Sequence, residues 1–168
     1  KTGSLDKLKK KDFENAFNLN LFAPFKIILD LKYLLLKGEQ ITTQSSSIIN
    51  IASMYGIVSP DARIYKNKNK KYYNPAQYGS AKAALIQITK YLACNLSPKK
   101  IRVNSVSLGP FPSKKISLSL KKKLVQKVPM GRIANAVEAA KPVTFLLSND
   151  SSFINGANII VDGGWTAW

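Results

Sequence analysis

Ser47-Ile48-Ile49-Asn50-Ile51-Ala52-Ser53 is a short apolar run rich in β-branched residues, and it reads as a buried strand. A second run, Ile101-Arg102-Val103-Asn104-Ser105-Val106-Ser107, reads the same way. A third strand is expected over Asn158 to Val161, ended by Asp162-Gly163-Gly164. Between the first two strands lies Ala76 to about Asn95, where Ala81, Ala84, Leu85, Ile88, Tyr91 and Leu92 fall on one side of a helix. Ahead of the first strand a long helix is expected from an N-cap at Asp12 to about Leu36, because Phe13, Phe17, Leu21, Ile28, Leu31 and Leu35 recur on one face. Pro24 should kink or break it, and Gly38 should close it in the C′ position. After the second strand, Ser117 to about Lys127 reads as a short basic helix, and Asn135-x-x-Glu138 as a capping-box start for a helix to about Leu147. Pro142 inside that last helix opposes propensity by about 3 kcal/mol. Met54 to Pro75 is a long loop, and long ordered loops are usually functional. The order helix–strand–helix–strand–helix–strand predicts an α/β layer fold with a parallel sheet, in one domain over 1–168.

Composition narrows the chemistry. The 168 residues include one cysteine, Cys94, and no histidine. A disulfide framework, a His/Cys zinc cluster and a histidine general base are therefore excluded within this chain. Acid–base work must fall to Tyr, Lys, Ser, Asp or Glu. Lysine and arginine number 26 against 9 acidic residues, for a net charge of +17. Such a balance can signal a nucleic-acid or anionic-membrane partner. The lysines, however, are spread along the chain, with modest clusters at Lys7–Lys11, Lys66–Lys71 and Lys121–Lys123, and no binding motif accompanies them. A basic nucleic-acid-binding module is thus the lesser reading, and neither nucleic acid nor membrane is expected as a partner. The apolar stretch from Phe17 to Leu36 holds Asn18, Asn20, Lys26, Asp30 and Lys32, which makes it a poor membrane span. No apolar leader opens the chain, so a cytoplasmic location is expected.

Tyr78-x-x-x-Lys82 is the motif that carries chemistry. At i and i+4 on a helix the two side chains lie on one face, one turn apart. A lysine ammonium within ~4–6 Å favours a phenolate, which makes a tyrosine usable as a proton donor and acceptor near neutral pH. The spacing alone is weak: Tyr33-x-x-x-Lys37 repeats it. Context separates the two. Ser53 stands at the carboxyl end of an apolar strand, where ligands bind in open α/β sheets, and Gly109 marks a second loop on the same edge. Asn20, on the preceding helix, could hold a water or a carbonyl. Tyr33 and Lys37 have no such setting.

These residues resemble the classical short-chain dehydrogenases/reductases, NAD(P)-dependent enzymes with a Rossmann fold. The matching stretches are Leu19-Asn20-Leu21, Ile48 through Ser53, and Tyr78-Gly79-Ser80-Ala81-Lys82-Ala83-Ala84. Further matches are Ile101 through Val106 with Gly109, Pro129-Met130-Gly131-Arg132, and Asn155-Gly156 through Val161-Asp162-Gly163-Gly164. The resemblance implies that Tyr78 is the general acid/base at a carbonyl or alcohol. It implies that Lys82 favours the phenolate and holds the nicotinamide ribose, that Ser53 orients the substrate oxygen, and that Asn20 holds a water behind Lys82. Gly109, Phe111 and Ser113 would line the nicotinamide, with Ser113 where the family usually has threonine. Full-length members commonly form homo-oligomers through the helices matching Asp12–Leu36 and Ala76–Asn95.

The chain also departs from the family. Leu108 replaces a usual proline. Ser53 and Tyr78 stand 25 residues apart, about double the common spacing, because Tyr55 to Asn74 is expanded. That loop and the Gly163-Gly164-Trp165-Thr166-Ala167-Trp168 end resemble a subgroup tied to surface-polysaccharide or flagellar-glycan synthesis, with a gluconate 5-dehydrogenase-like enzyme close behind. A polar, sugar-like small molecule is the expected substrate. No glycine-rich strand-to-helix turn precedes residue 50, so the pyrophosphate-binding half, on the order of 80 residues at about 30 per βαβ unit, is expected to lie outside these residues. The fold expected is a partial, doubly wound, Rossmann-like parallel sheet lacking its first half. The chain should be inactive by itself, with NAD or NADP as cofactor of the completed enzyme. The competing reading is an inactive remnant that keeps only its packing surfaces.

Overall fold

The computed structural model describes residues 5–42, 45–67, 70–71, 74–111 and 116–168. Ser113 lies outside the described residues. Three parallel strands, β1 (Ser46–Ser53), β4 (Ile101–Leu108) and β5 (Asn158–Val161), form a sheet in the order β1-β4-β5. Ser53 pairs with Leu108, and Leu108 with Val161, so the three strands end level. That shared carboxyl edge is where the loops of interest emerge.

The long first helix differs from expectation at three places. α1 (Lys10–Phe17) starts earlier, with Lys9 as N-cap; the Lys9 N–H donates to the Asp12 carboxylate at 3.1 Å, which makes Asp12 the third helical residue. Asn18–Phe22 form a π turn, and α2 (Ala23–Thr42) continues from it. Pro24 has no N–H to give the Asn20 carbonyl, and the wider turn carries the helix through the proline instead of ending it. Gly38 does not close the helix, which runs on to Thr42. Packing outweighs the roughly 1 kcal/mol that an internal glycine costs: Phe25, Ile28, Leu35 and Leu36 join the core beside the sheet, and Ser46 Oγ donates to the Leu35 carbonyl at 2.7 Å. Phe13 and Leu31 of the expected face come out exposed.

α2 and α4 (Ala76–Leu96) cover one face of the sheet, where Ile28, Leu92, Ala93 and Leu96 bury Ile101 and Val103. α6 (Ala136–Leu147) covers the other, and Ser47 Oγ donates to the Leu146 carbonyl at 2.8 Å. Asn135 caps α6 with the expected box: its side chain accepts the Glu138 N–H at 3.1 Å, and the Glu138 carboxylate accepts the Asn135 N–H at 2.9 Å. Arg102, 5% exposed, ties α6 to the sheet. Its guanidinium donates to the carbonyls of Leu146, Ser148 and Ile154 and to the hydroxyls of Ser45 and Ser151. The α/β architecture with helices on both faces of a parallel sheet agrees with the sequence reading. Among the described residues no strand pairs with the outer side of β1.

The segment Met54 to Pro75 is not structureless. It holds a 3-10 turn (Met54–Gly56), α3 (Ala62–Tyr65) and a small antiparallel pair, β2 (Lys66–Asn67) with β3 (Lys70–Lys71). Met54, Tyr55 and Ile64 pack with Leu124 of α5 (Leu118–Lys127), Val128 and Trp165 into a second core over the carboxyl edge of the sheet.

Candidate active site

Ser53, buried at the end of β1, accepts the Tyr55 N–H on its Oγ at 3.2 Å. This starts the Met54–Gly56 turn, which lies directly on α4. A Cβ on Gly79 would come within 2.7 Å of the Tyr55 carbonyl oxygen, and one on Gly56 within 2.8 Å of the Lys82 carbonyl carbon. The two glycines let main chain meet main chain, and the contact fixes Ser53 relative to Tyr78 and Lys82.

Tyr78 and Lys82 share one face of α4, with Lys82 Nζ 5.8 Å from the Tyr78 ring centre. The ammonium donates to the Ile51 carbonyl of β1 at 2.8 Å. Burial holds Lys82 below the ordinary lysine range. On the neighbouring strand, the Gly109 N–H donates to the Val161 carbonyl at 2.9 Å. A Cβ at 109 would lie 2.5 Å from the Asp162 Cα, so only glycine lets this loop leave the edge so close to Asp162.

The result is a cleft of about 470 Å³. Of the residues expected from sequence, Ser53, Tyr78, Gly109 and Phe111 line it. Lys82 sits one turn along α4 from Tyr78 and outside the lining. Asn20 is also outside it: half-buried in the π turn, it donates through Nδ2 to the Ala16 carbonyl at 2.9 Å. Sequence reasoning missed Tyr55, Tyr65 and Asn74. The Tyr55 and Tyr65 hydroxyls are hydrogen-bonded to each other, and burial, with that bond next, pushes the Tyr55 phenol far above its ordinary range. The Asn74 Oδ1 is buried and has no hydrogen-bond partner among the described residues. The only advance signal for these residues was the length of the segment that carries them.

A serine, a tyrosine and a lysine-backed helix face at one strand edge can place a carbonyl oxygen and exchange a proton with it. The residues present fit the nicotinamide end of a dinucleotide: Gly109 to Phe111 open onto the cleft, and a lysine ammonium stands beside the tyrosine. Gly3 and Gly38 are the only glycines before residue 50, so no turn suited to a pyrophosphate is among these residues.

The sequence family described as enoyl-(acyl carrier protein) reductase matches residues 1–166. The chain belongs to the short-chain dehydrogenases/reductases. It is 40% identical over 121 residues to trans-4-hydroxycyclohexanecarboxylate dehydrogenase of Sinomonas cyclohexanicum, covering 72% of this chain and 41% of that protein. It is 29% identical over 165 residues to the 3-oxoacyl-[acyl-carrier-protein] reductase FabG of Thermotoga maritima, covering 95% of this chain and 59% of the relative. Among solved structures, a short-chain dehydrogenase from Leptospira borgpetersenii with bound NAD+ superposes with a TM-score of 0.80 at 29% identity, over 99% of this chain and 60% of that one. The chain thus spans 41% to 60% of the length of these relatives.

Proposed function

We propose that these residues form the catalytic part of an NAD(P)-dependent oxidoreductase that moves a hydride between nicotinamide and the carbonyl or alcohol of a polar, sugar-like small molecule. The observation that carries the reading is the convergence of Ser53, Tyr78 and the Gly109–Phe111 loop on one cleft at the carboxyl edge of a parallel sheet. Tyr78 is the general acid/base. Lys82, on the same helix face, favours the form of Tyr78 that accepts a proton and reaches the ribose side of the cofactor. Ser53 orients the substrate oxygen with its hydroxyl. Asn20, in the π turn, holds a water behind Lys82. Gly109, Phe111 and Ser113 border the nicotinamide, which when bound supplies or takes the hydride. A bound NAD+ in the Leptospira borgpetersenii relative supports the cofactor class. We propose that the protein works in the cytoplasm.

The same reading assigns a second copy of the chain to the exposed apolar strip on the helical face. Leu21, Phe22 and Phe25 of the first helix line an open groove with Ile88 and Tyr91 of α4. Phe22 and Tyr91 are 56% and 59% exposed there.

The decisive test is Tyr78→Phe in the full-length gene product, with cofactor oxidation and reduction followed by absorbance. Loss of a proton-transfer group should lower kcat by at least roughly 100-fold. Undiminished turnover in that variant would remove Tyr78 from the mechanism.

A further inference from the structure

The lining of the cleft around Tyr78 is of two kinds. Ile116, Leu120 and Leu124 are apolar. Tyr55, Tyr65 and Asn74, all from the segment between β1 and α4, add two hydroxyls and an amide. The two phenols share one hydrogen bond, so one of their two O–H protons remains to be donated elsewhere. The Asn74 Oδ1 is a buried acceptor that nothing among the described residues satisfies. The residues that line the cleft therefore carry one unspent donor and, beneath the surface, one acceptor without a partner among the described residues. A hydroxyl group is the simplest neutral group that can answer both, because it accepts and donates at once.

Charge points the same way. Among the described residues lining the cleft there is no Lys, Arg, Asp or Glu, although the chain carries a net charge of +17. A carboxylate or phosphate against these described residues would shed its water without meeting a cation from any of them. We infer that the Tyr55–Tyr65 hydroxyl pair and Asn74 select substrates by a neutral hydroxyl group, carried on a carbonyl compound whose apolar flank lies against Ile116, Leu120 and Leu124. This rests on the dehydrogenase reading for the position of the reacting carbon at Tyr78. It adds that the second functional group of the substrate is a hydroxyl and not an acid. The chain would differ in this from its relative named for a hydroxycyclohexanecarboxylate.

The test measures binding and needs no turnover. Cyclohexanone, 2- and 4-hydroxycyclohexanone and 4-oxocyclohexanecarboxylate are titrated into the full-length gene product by ligand-observed NMR. One of the hydroxyketones should bind about tenfold or more tighter than cyclohexanone, with the carboxylate weakest. Asn74→Leu removes the acceptor at similar bulk, and Tyr65→Phe removes one hydroxyl and leaves the ring. Each should bring the hydroxyketone-to-ketone ratio to within about twofold of unity. The inference is overturned by a wild-type protein that shows no hydroxyl preference, by a carboxylate that binds tightest, or by a ratio unchanged in both variants. Turnover that survives Tyr78→Phe would remove the proton-transfer reading and leave these ratios standing. An unchanged ratio would remove the hydroxyl reading whatever Tyr78→Phe does.

Discussion

Gly79 lies against the carbonyl of Tyr55 so closely that a Cβ on it would sit 2.7 Å from that oxygen. Helix propensity alone would favour alanine there by about 1 kcal/mol. The obstacle is main chain, which cannot swing aside as a flexible side chain would. Gly79→Ala should therefore push the Met54–Gly56 turn off α4 and carry Ser53 away from Tyr78. A displacement near 1 Å at a reacting centre costs on the order of 100-fold in rate. We expect kcat of the full-length gene product to fall by about that factor, with the melting temperature moving by only a few degrees as propensity and clash offset each other. Full turnover in this variant would mean that the turn does not position Ser53.

Arg102 is held by neutral partners alone among the described residues: three carbonyls and two hydroxyls. Arg102→Met would fill much of the space and take one donor from each of those carbonyls, which keep the side chains of Ser47, Asn104 and Ser151 as partners. We expect a loss of about 2 kcal/mol, read as a lower denaturant midpoint at unchanged slope. Arg102→Lys should recover only part of it, since an ammonium has three donors and cannot span the fork that the guanidinium occupies.

The α6 cap should respond to acid. The Arg132 guanidinium foremost, and then the Asn135 N–H, hold the Glu138 carboxyl down at about 2. A carboxylate depressed in the fold adds stability that is complete above its ordinary value of 4.5 and is lost as pH falls toward about 2. The group is exposed, so the effect is local. An NMR titration should show the Glu138 carboxyl protonating near the bottom of that window, with fraying of the first turn of α6. Arg132→Ala should move the titration up toward the ordinary value; a midpoint already there in the wild type would show that the pair does not form in solution.

Phe22 and Tyr91 test the second copy of the chain. A glutamate at either position places a charge in the middle of the apolar groove. If that groove is an interface, Phe22→Glu and Tyr91→Glu should both lower the sedimentation mass of the full-length gene product while leaving its circular dichroism intact. An unchanged mass in the double variant would assign the oligomer to another face.

Local chemistry made most of the fold readable. The strand at Ser47–Ser53, the helix from Ala76 and the Asn135–Glu138 box depend on neighbours a few residues away, and each lies where its pattern placed it. One misreading has a distant cause: a glycine such as Gly38 ends a helix when nothing opposes it, but here the first strand packs against the later turns of α2. The other is local: the Asp12 carboxylate does bind a free helix-end N–H, that of Lys9, but from inside the helix. Of the site, Ser53, Tyr78, Gly109 and Phe111 were visible as strand-end and helix-face residues. Tyr65 and Asn74 carry no local mark, because what makes them part of the cleft is the folding back of a long segment over α5.

That segment is pinned at both ends to one helix: Gly56 rests on the main chain at Lys82, and Pro75 leads into the first turn of α4. Closing a longer loop between fixed anchors costs little, about 0.6 kcal/mol for each doubling. Residues can therefore be added, lost or exchanged between positions 57 and 74 without disturbing the glycine contacts that hold the Met54–Gly56 turn against α4. In such an arrangement, evolutionary change in what the cleft admits is uncoupled from the placement of Ser53, Tyr78 and Lys82.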